Sequence, residues 1–423
     1  MENKQKSITE PRVILSAGNI AHYHHAAYAL QQAGYLYRYL CAFSGQDDLG
    51  ILRRFLSQDQ QKRLQGKALP ELHDIYIKTF PWPYLITQAF QRANLIHQAQ
   101  ANAWFSESYD RATLRWVNNC DVFHFVSGMG LRGAKKVKKS GGLIICDVRI
   151  AHVKFEEEIL RNEYDEWGIR FETRVKDFSD RITAEYALAD RIIAPSNFVA
   201  ETFTRQGIDR EKMDVVPYGV EITRFKMEPD HENKFKRDEE EHFRVLFVGS
   251  ITLRKGVHHL LEAFDHLNIP ASELIILGRD DRQLGGMIEN KAKNPRVRFP
   301  GSVPQLELRK FYEDASVFVL PSLCEGSAMV IYEAMAAGLP VITTPNAGSI
   351  VRDGVDGFIV PVRDPGALEE KIIWMYEHPK ERIEMGQCAA ERVKEFTWER
   401  YGERLAQVYS RILNNHLAGR IEA

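Results

Sequence analysis

Short, almost continuously apolar runs recur along both halves of the chain, each closed by glycine, proline or small polar residues. In the first half they are Arg12–Leu15, Tyr35–Phe43, Val122–Val126, Leu143–Cys146, Arg191–Ala194 and Asp214–Val216. In the second they are Arg244–Gly249, Glu273–Leu277, Val297–Phe299, Val317–Leu320, Pro340–Thr343 and Phe358–Val360. Strands buried on both faces read this way, whereas one-sided strands alternate. Helical segments separate most of the runs; the first follows the small-residue turn Ser16-Ala17-Gly18-Asn19 and extends to about Ala33. The pattern predicts an α/β protein with two doubly wound domains facing each other across a cleft. Pro217-Tyr218-Gly219 interrupts the first series, and the charge-rich stretch Lys226–Glu241 reads as a solvated connection. The boundaries expected from this are 1–217, 218–396 and a tail, 397–423. Within the tail, Trp398, Tyr401, Leu405, Val408 and Ile412 recur at helical spacing.

Composition narrows the classes. A chain of 423 residues, 44% hydrophobic and 27% charged, has enough length and apolar content for two globular domains. A formal net charge of -2 gives no electrostatic footprint for a nucleic-acid partner. The five cysteines are scattered without a CxxC pair, which points to reduced thiols and a cytoplasmic setting. Met1–Glu10 is polar and lacks the apolar core of a signal peptide, and no apolar run is long enough to span a bilayer.

The chemistry concentrates after the run Val317–Leu320. Glu325-Gly326-Ser327-Ala328-Met329-Val330-Ile331-Tyr332-Glu333 places one carboxylate in a loop and a second, after seven intervening residues, on a short helix ended by Gly338-Leu339-Pro340. Loops at the carboxyl ends of strands are where open α/β sheets bind ligands. The N–H groups around Ser327, Ala328, Met329 and Val330 open that helix and suit an anion such as phosphate. Glutamates at such spacing usually lie on a solvated helix face. Glu333, among apolar and small residues, is an odd surface charge, and Gly326 permits close backbone approach.

These residues carry a resemblance, together with the segment Ala334-Met335-Ala336-Ala337-Gly338-Leu339-Pro340-Val341-Ile342 that follows Glu333. Val216-Pro217-Tyr218-Gly219-Val220-Glu221, Val248-Gly249 with Lys255-Gly256, and Gly354-Val355-Asp356-Gly357-Phe358 add to it. The chain resembles a glycosyltransferase of the two-Rossmann-domain (GT-B) type, in the large retaining family 4. That resemblance implies transfer of a sugar from a nucleotide diphosphate sugar, and a C-terminal helix that crosses back onto the first domain. It implies that Glu333 binds the ribose hydroxyls, that Glu325 lies beside the donor sugar, and that Lys255 binds phosphate. Gly278 resembles a position near the nucleotide, Val303 one whose backbone meets the base, and His152 a histidine near the reacting sugar carbon. The Gly18 turn is expected to approach the diphosphate or acceptor from the first domain.

One departure matters. The family commonly has arginine directly after the glycine equivalent to Gly249; here Ser250 stands there, and Arg254 is the candidate to fill the role. No Asp-x-Asp pair occurs, so with Arg254 and Lys255 present a metal-independent enzyme is expected, with no cofactor beyond the donor itself. The turn after the first strand, Ser16-Ala17-Gly18-Asn19-Ile20-Ala21, has too few glycines for a dinucleotide-binding fingerprint, which argues against hydride transfer. On the acceptor side, Asp147 and His152 follow the run Leu143–Cys146; Asp147 is read as orienting the loop or binding acceptor, and His22, His24 and His25 as helix surface. A glycan, a lipid-linked sugar or a small molecule remain open as acceptor. With no obvious nucleophile, a front-face path is expected rather than double displacement. Arg132, Lys135, Lys136, Lys138 and Lys139 form an acid-free basic run whose default is a solvated face; with Phe80–Ile86 it also gives an expectation of peripheral attachment at the inner membrane face. Two further readings stay open: an epimerase or phosphorylase on the same scaffold, and a non-catalytic sugar-nucleotide-binding subunit.

Overall fold

The computed structural model describes residues 11–18, 22–44, 71–171, 174–225, 242–280, 284 and 286–421. The connection expected over Lys226–Glu241, the N-terminal ten residues and Asn19–Ala21 of the first turn lie outside them. Among the described residues, thirteen strands form two sheets. The first contains β1 (Val13–Ser16), β2 (Leu36–Cys41), β3 (Ile77–Thr79), β4 (Val122–Val126), β5 (Leu143–Asp147), β6 (Arg191–Ala194) and β7 (Met213–Val215), in the order β3-β2-β1-β4-β5-β6-β7. The second contains β8 (Phe243–Val248), β9 (Ser272–Leu277), β10 (Val297–Gly301), β11 (Val317–Leu320), β12 (Val341–Thr343) and β13 (Gly357–Ile359), in the order β10-β9-β8-β11-β12-β13. Every pairing within the two sheets is parallel. Each sheet therefore reverses its winding once, between β1 and β4 in the first and between β8 and β11 in the second. The carboxyl ends of those strand pairs are the topological switch points, the crevices where doubly wound sheets take ligands.

The central strands are buried almost throughout: β4, β8 and β11 hide nearly every side chain, since helices cover both sheet faces. The sequence expectation of two doubly wound α/β units holds, and β3 is the strand it lacked. That strand is short, half-buried and at the sheet edge, with no apolar run to announce it.

The tail forms the helix Trp398–Ile421, which packs on the first-domain helix Tyr23–Gln32. Gly402 permits the close crossing, because a Cβ there would come 3.1 Å from the Ala29 Cβ. The two chain crossings between the domains run side by side: the Val220 N–H donates to Phe396 O at 2.9 Å, and Val220 bridges Thr397. Tyr401, Leu405, Tyr409 and Ile412 bury their side chains in the core shared with β1 and the first helix.

Two readings of the sequence change here. His22, His24 and His25 are not helix surface: His24 is 4% exposed, and His25 stacks on Trp398 with ring centroids 4.0 Å apart. His22 sits in the same seam, 4.5 Å from the Tyr218 ring, and burial lowers its pKa to about 3. Asp147 does not face an acceptor. It is 2% exposed, accepts from Tyr23 Oη at 2.7 Å and lies 3.1 Å from His124 Nε2, whose Nδ1 is 2.8 Å from Tyr409 Oη. This buried network ties β4, β5, the first helix and the last helix together.

Candidate functional site at the second switch point

The loops after β8 and β11 meet at the second switch point. Thr252 caps the turn Leu253–Lys255, and Gly256 follows in a left-handed conformation with φ 69°. A Cβ on Gly256 would lie 2.0 Å from the Pro321 carbonyl oxygen, so only glycine lets this turn close onto the end of β11. The Leu323 N–H donates to Arg254 O at 2.9 Å, fixing the two loops in register. The second loop is pinned from its other side, where Glu325 N–H donates to Asn346 O and Asn346 Nδ2 to Leu323 O.

This scaffold brings Glu325, Arg254 and Lys255 together. Glu325 Oε1 accepts from Arg254 Nη1 at 2.6 Å and from Lys255 Nζ at 2.7 Å, and Arg254 also donates to Cys324 O. Glu325 is 8% exposed. Burial pushes its carboxyl up, but the two cations outweigh burial and the net direction is down. Burial pushes Lys255 down, with Glu325 opposing and Arg254 reinforcing. Two cations against one carboxylate leave one positive charge uncompensated inside the triad. Sequence reasoning gave the cations to phosphate and the carboxylate to sugar; the structure adds that the carboxylate holds both cations in place.

Glu333 stands apart from this triad. It lies on the helix Met329–Ala336, is half-buried, and accepts from Tyr312 Oη at 3.0 Å. Burial lifts its carboxyl to about 7, while Tyr312 and Arg224 pull the other way. Tyr312 is fully buried on the helix Gln305–Asp314. The sequence did not reveal this contact, because the partner is 21 positions away on another helix.

The helix Met329–Ala336 starts without a side-chain cap. The N–H groups of Gly326, Ser327, Met329 and Val330 donate to no backbone acceptor among the described residues, whereas that of Ala328 donates to Ala347 O at 3.2 Å. Ala328 is therefore withdrawn from the expected phosphate-binding set as a donor. Ser327 Oγ pairs with Tyr332 Oη at 2.8 Å. Gly326 touches the first domain: its carbonyl accepts from Ser196 Oγ at 2.6 Å, and a Cβ on it would lie 1.7 Å from the Arg149 carbonyl oxygen.

The other expected residues divide. Gly278 ends β9, where a Cβ would lie 1.7 Å from Gly249 O, so its bareness serves the approach of the β8 and β9 ends. Val303 is half-buried after β10 and packs on the second-domain core. Gly18 has φ 53° and packs against Met129 of the loop after β4, at the first switch point. His152 is 3% exposed; its Nδ1 accepts from Lys154 N–H at 3.3 Å, capping the helix Val153–Glu166, and its ring packs on Tyr186 and Phe203. Burial lowers its pKa to about 4. The sequence did not reveal this capping role. Next to it a cavity of about 390 Å³ opens between the loops after β4 and β5, lined by Ser127, Met129, Arg149, Glu156, Arg174 and Phe178 among others.

Comparisons with known proteins bear on this geometry. The family profile described as "Glycosyl transferases group 1" matches residues 229–392, and that described as "Glycosyltransferase Family 4" matches residues 103–224. Between them they take in well over half the chain and both switch-point loops after β4 and β11. The chain belongs to the group 1 glycosyltransferases. Among relatives of this family member, the putative colanic acid biosynthesis glycosyltransferase WcaL of Escherichia coli (strain K12) is 29% identical over 195 residues, covering 43% of this chain and 47% of the relative. The D-inositol 3-phosphate glycosyltransferase of Paenarthrobacter aurescens (strain TC1) is 28% identical over 266 residues, covering 60% and 64%. The chain thus spans about half to two thirds of the length of these curated relatives. In fold it is similar to sucrose-phosphate synthase from Thermosynechococcus elongatus, with TM-score 0.65, 18% identity and coverage of 96% and 100%. It is likewise similar to Anabaena HepE in complex with UDP-glucose, with TM-score 0.61, 17% identity and coverage of 94% and 99%. These two likenesses establish the GT-B architecture of two Rossmann-like domains.

Proposed function

We propose that this chain is a retaining, metal-independent glycosyltransferase that moves a sugar from a nucleotide diphosphate sugar to an acceptor hydroxyl. The observation that carries this reading is the triad Glu325–Arg254–Lys255 at the second switch point. Departure of a nucleoside diphosphate builds negative charge on the phosphate oxygen leaving the sugar carbon. Preorganised cations where charge develops are the main catalytic lever, and the triad retains one net positive charge for that purpose. Arg254 and Lys255 supply what a divalent ion would otherwise supply. The N–H groups of Ser327, Met329 and Val330 add donors to the distal phosphate. Glu333, steadied by Tyr312, accepts from the ribose diol, and charge-assisted bonds of that kind contribute about 1.5–3 kcal/mol each. Complexes of HepE with UDP and UDP-glucose support a nucleotide-sugar donor by likeness of fold.

In the front-face path the bond from the sugar carbon to the phosphate oxygen breaks while the acceptor oxygen bonds the same face. The acceptor's proton passes to the departing phosphate oxygen, so no enzyme nucleophile is required. The acceptor approaches from the first domain, across the contact of Gly326 with the Arg149–Ile150 loop.

The cellular setting that fits is cytoplasmic, peripheral at the inner membrane face. Trp82, Ile86 and Phe90 expose a stripe along the helix Pro81–Arg92, extended by Trp104, whose ring is 5.8 Å from that of Phe90. No acidic residue occurs between Ile75 and Ser106, which suits an anionic bilayer. Among the described residues no helix is long and apolar enough to cross a membrane. The basic run lies on the helix Leu131–Lys139, where Lys136 donates to Leu114 O and Lys138 pairs with Asp190, leaving Lys135 and Lys139 exposed.

A thermal-shift panel of UDP, GDP, ADP and their sugars tests the donor assignment. One nucleotide series should stabilise the wild type by about 2.7 kcal/mol at about a hundredfold its Kd, and Glu333→Ala should lose most of that response. A panel without any shift would sink the proposal. Product analysis then separates transfer, which yields a new glycoside, from epimerisation, phosphorolysis or binding without turnover.

A further inference from the structure

One buried cluster takes no part in the chemistry above. Glu163, on the first-domain helix Val153–Glu166, is 0% exposed and reaches three side chains of the second domain. His258 Nε2 is 2.5 Å from Glu163 Oε1 and hydrogen-bonded to it, while His259 Nε2 lies 3.1 Å from the same oxygen without hydrogen-bond geometry. Arg363 Nε donates to Oε2 at 2.5 Å, and Arg363 Nη2 donates to Ile159 O at 2.8 Å on the same helix. Arg363 holds this position with a backbone φ of 61°, a left-handed conformation uncommon outside glycine. A strained cation spent on a buried carboxylate of the other domain marks an arrangement that surrounding contacts enforce.

The cluster is wired to the switch point through short covalent paths. His258 and His259 occupy the first turn of the helix that begins directly after Lys255-Gly256. Glu163 shares its helix with the His152 cap, and that helix follows the Arg149–Ile150 loop pressed against Gly326. Separation of the domains at this point would move the Lys255 turn and the Gly326 contact together.

Three ligand-type atoms this close also suit a metal ion. Two observations favour the ion-pair reading. Arg363 already occupies the second carboxylate oxygen. His258 Nδ1 is buried without a partner, whereas a metal-bound imidazole almost always donates from its other nitrogen.

We propose that Glu163 is an interdomain latch and positioning residue: with Arg363, His258 and His259 it holds the Lys255 helix against the first domain, so that the two halves of the site are assembled before donor arrives. This stands on contacts outside the nucleotide site, and it can be read without any ligand.

Amide hydrogen exchange on the full chain tests it. Glu163→Gln should speed exchange at least tenfold at Ile159–Glu166, at Val257–Leu261 and at the Arg149–Ala151 loop, while β1, β4, β8 and β11 stay protected. Arg363→Gln, placed in the other domain, should reproduce that pattern, and the double variant should add little to either. Small-angle scattering should show a larger radius of gyration for each variant. A structural role confined to one domain would instead deprotect that domain's own strands, and fully additive effects of the two substitutions would mean separate contacts; either result overturns the latch. A rise in Tm with equimolar Zn²⁺ that His258→Phe abolishes would also overturn it, in favour of a metal site. If the latch fails while nucleotide still stabilises the chain, the donor reading survives; if nucleotide binding fails while the exchange pattern appears, the latch survives.

Discussion

The half-buried Glu333 carboxyl carries an acid–base signature that can be read in binding. Burial lifts its pKa from 4.5 to about 7, with the Tyr312 hydroxyl and Arg224 opposing. A ribose diol donates two hydrogen bonds, and only the ionised carboxylate accepts freely on both oxygens. With a midpoint of about 7, roughly nine-tenths of the sites are ionised at about pH 8 and roughly one-tenth at about pH 6. A ligand that takes only the ionised form then binds about tenfold more weakly at the lower pH, or about 1.4 kcal/mol. Stability of the empty protein runs the other way. The folded state keeps a proton that the unfolded chain has released, so this group's contribution falls as pH rises from 4.5 to about 7. Glu185, lifted to about 7 chiefly by burial, contributes with the same sign, so the informative quantity is wild type minus Glu333→Gln. Titration calorimetry with an intact nucleotide sugar is the assay, because its diphosphate is esterified at both ends and does not itself titrate in this interval. The wild type should gain affinity from about pH 6 to about pH 8, and Glu333→Gln should be weaker and flat. A flat wild-type profile, or an undiminished slope in the variant, would refute the assignment of the ribose to Glu333.

Three further outcomes follow from the geometry. Lys255→Ala should lose most nucleoside-diphosphate affinity while nucleoside binding is retained; equal loss of both in calorimetry would argue against a phosphate role. Gly326→Ala places a Cβ on the Arg149 carbonyl oxygen and should hold the domains apart; a scattering profile and turnover matching wild type would show that this contact is dispensable. Vesicles rich in phosphatidylglycerol should co-sediment the chain, with Trp82→Ser and Ile86→Ser together reducing the bound fraction several-fold. Binding that is unchanged by those substitutions, or equal on phosphatidylcholine, would remove the proposed membrane contact.

The sheets were legible because burial on both faces leaves a local signature: Val317–Leu320 and Val245–Val248 need no partner to be recognised as strands. The Glu325 loop was legible for a similar reason, since Gly326 and the close of the helix at Gly338 are local too. What the sequence hid depends on distant partners. Asp147 looks like a cleft residue until Tyr23, His124 and Tyr409 close around it. His25 looks solvated until Trp398, from the far end of the chain, stacks on its ring. Tyr312 and the Glu163 cluster join different helices, and no periodicity within one helix encodes such a meeting. At His152 the sequence shows a place after a strand, and only the structure adds that its Nδ1 caps a helix and that its ring packs on Tyr186 and Phe203.

The hydroxyl that meets His124 belongs to Tyr409, on the last helix and 285 positions later. A ribosome delivers β4 long before that partner, so the nascent first lobe has a polar group facing an unfinished wall until the helix Trp398–Ile421 arrives. Vectorial folding of this lobe is therefore provisional until the helix Trp398–Ile421 has been made. Premature termination upstream of the final helix would leave a product whose defect lies at the opposite end of the polypeptide from the missing codons.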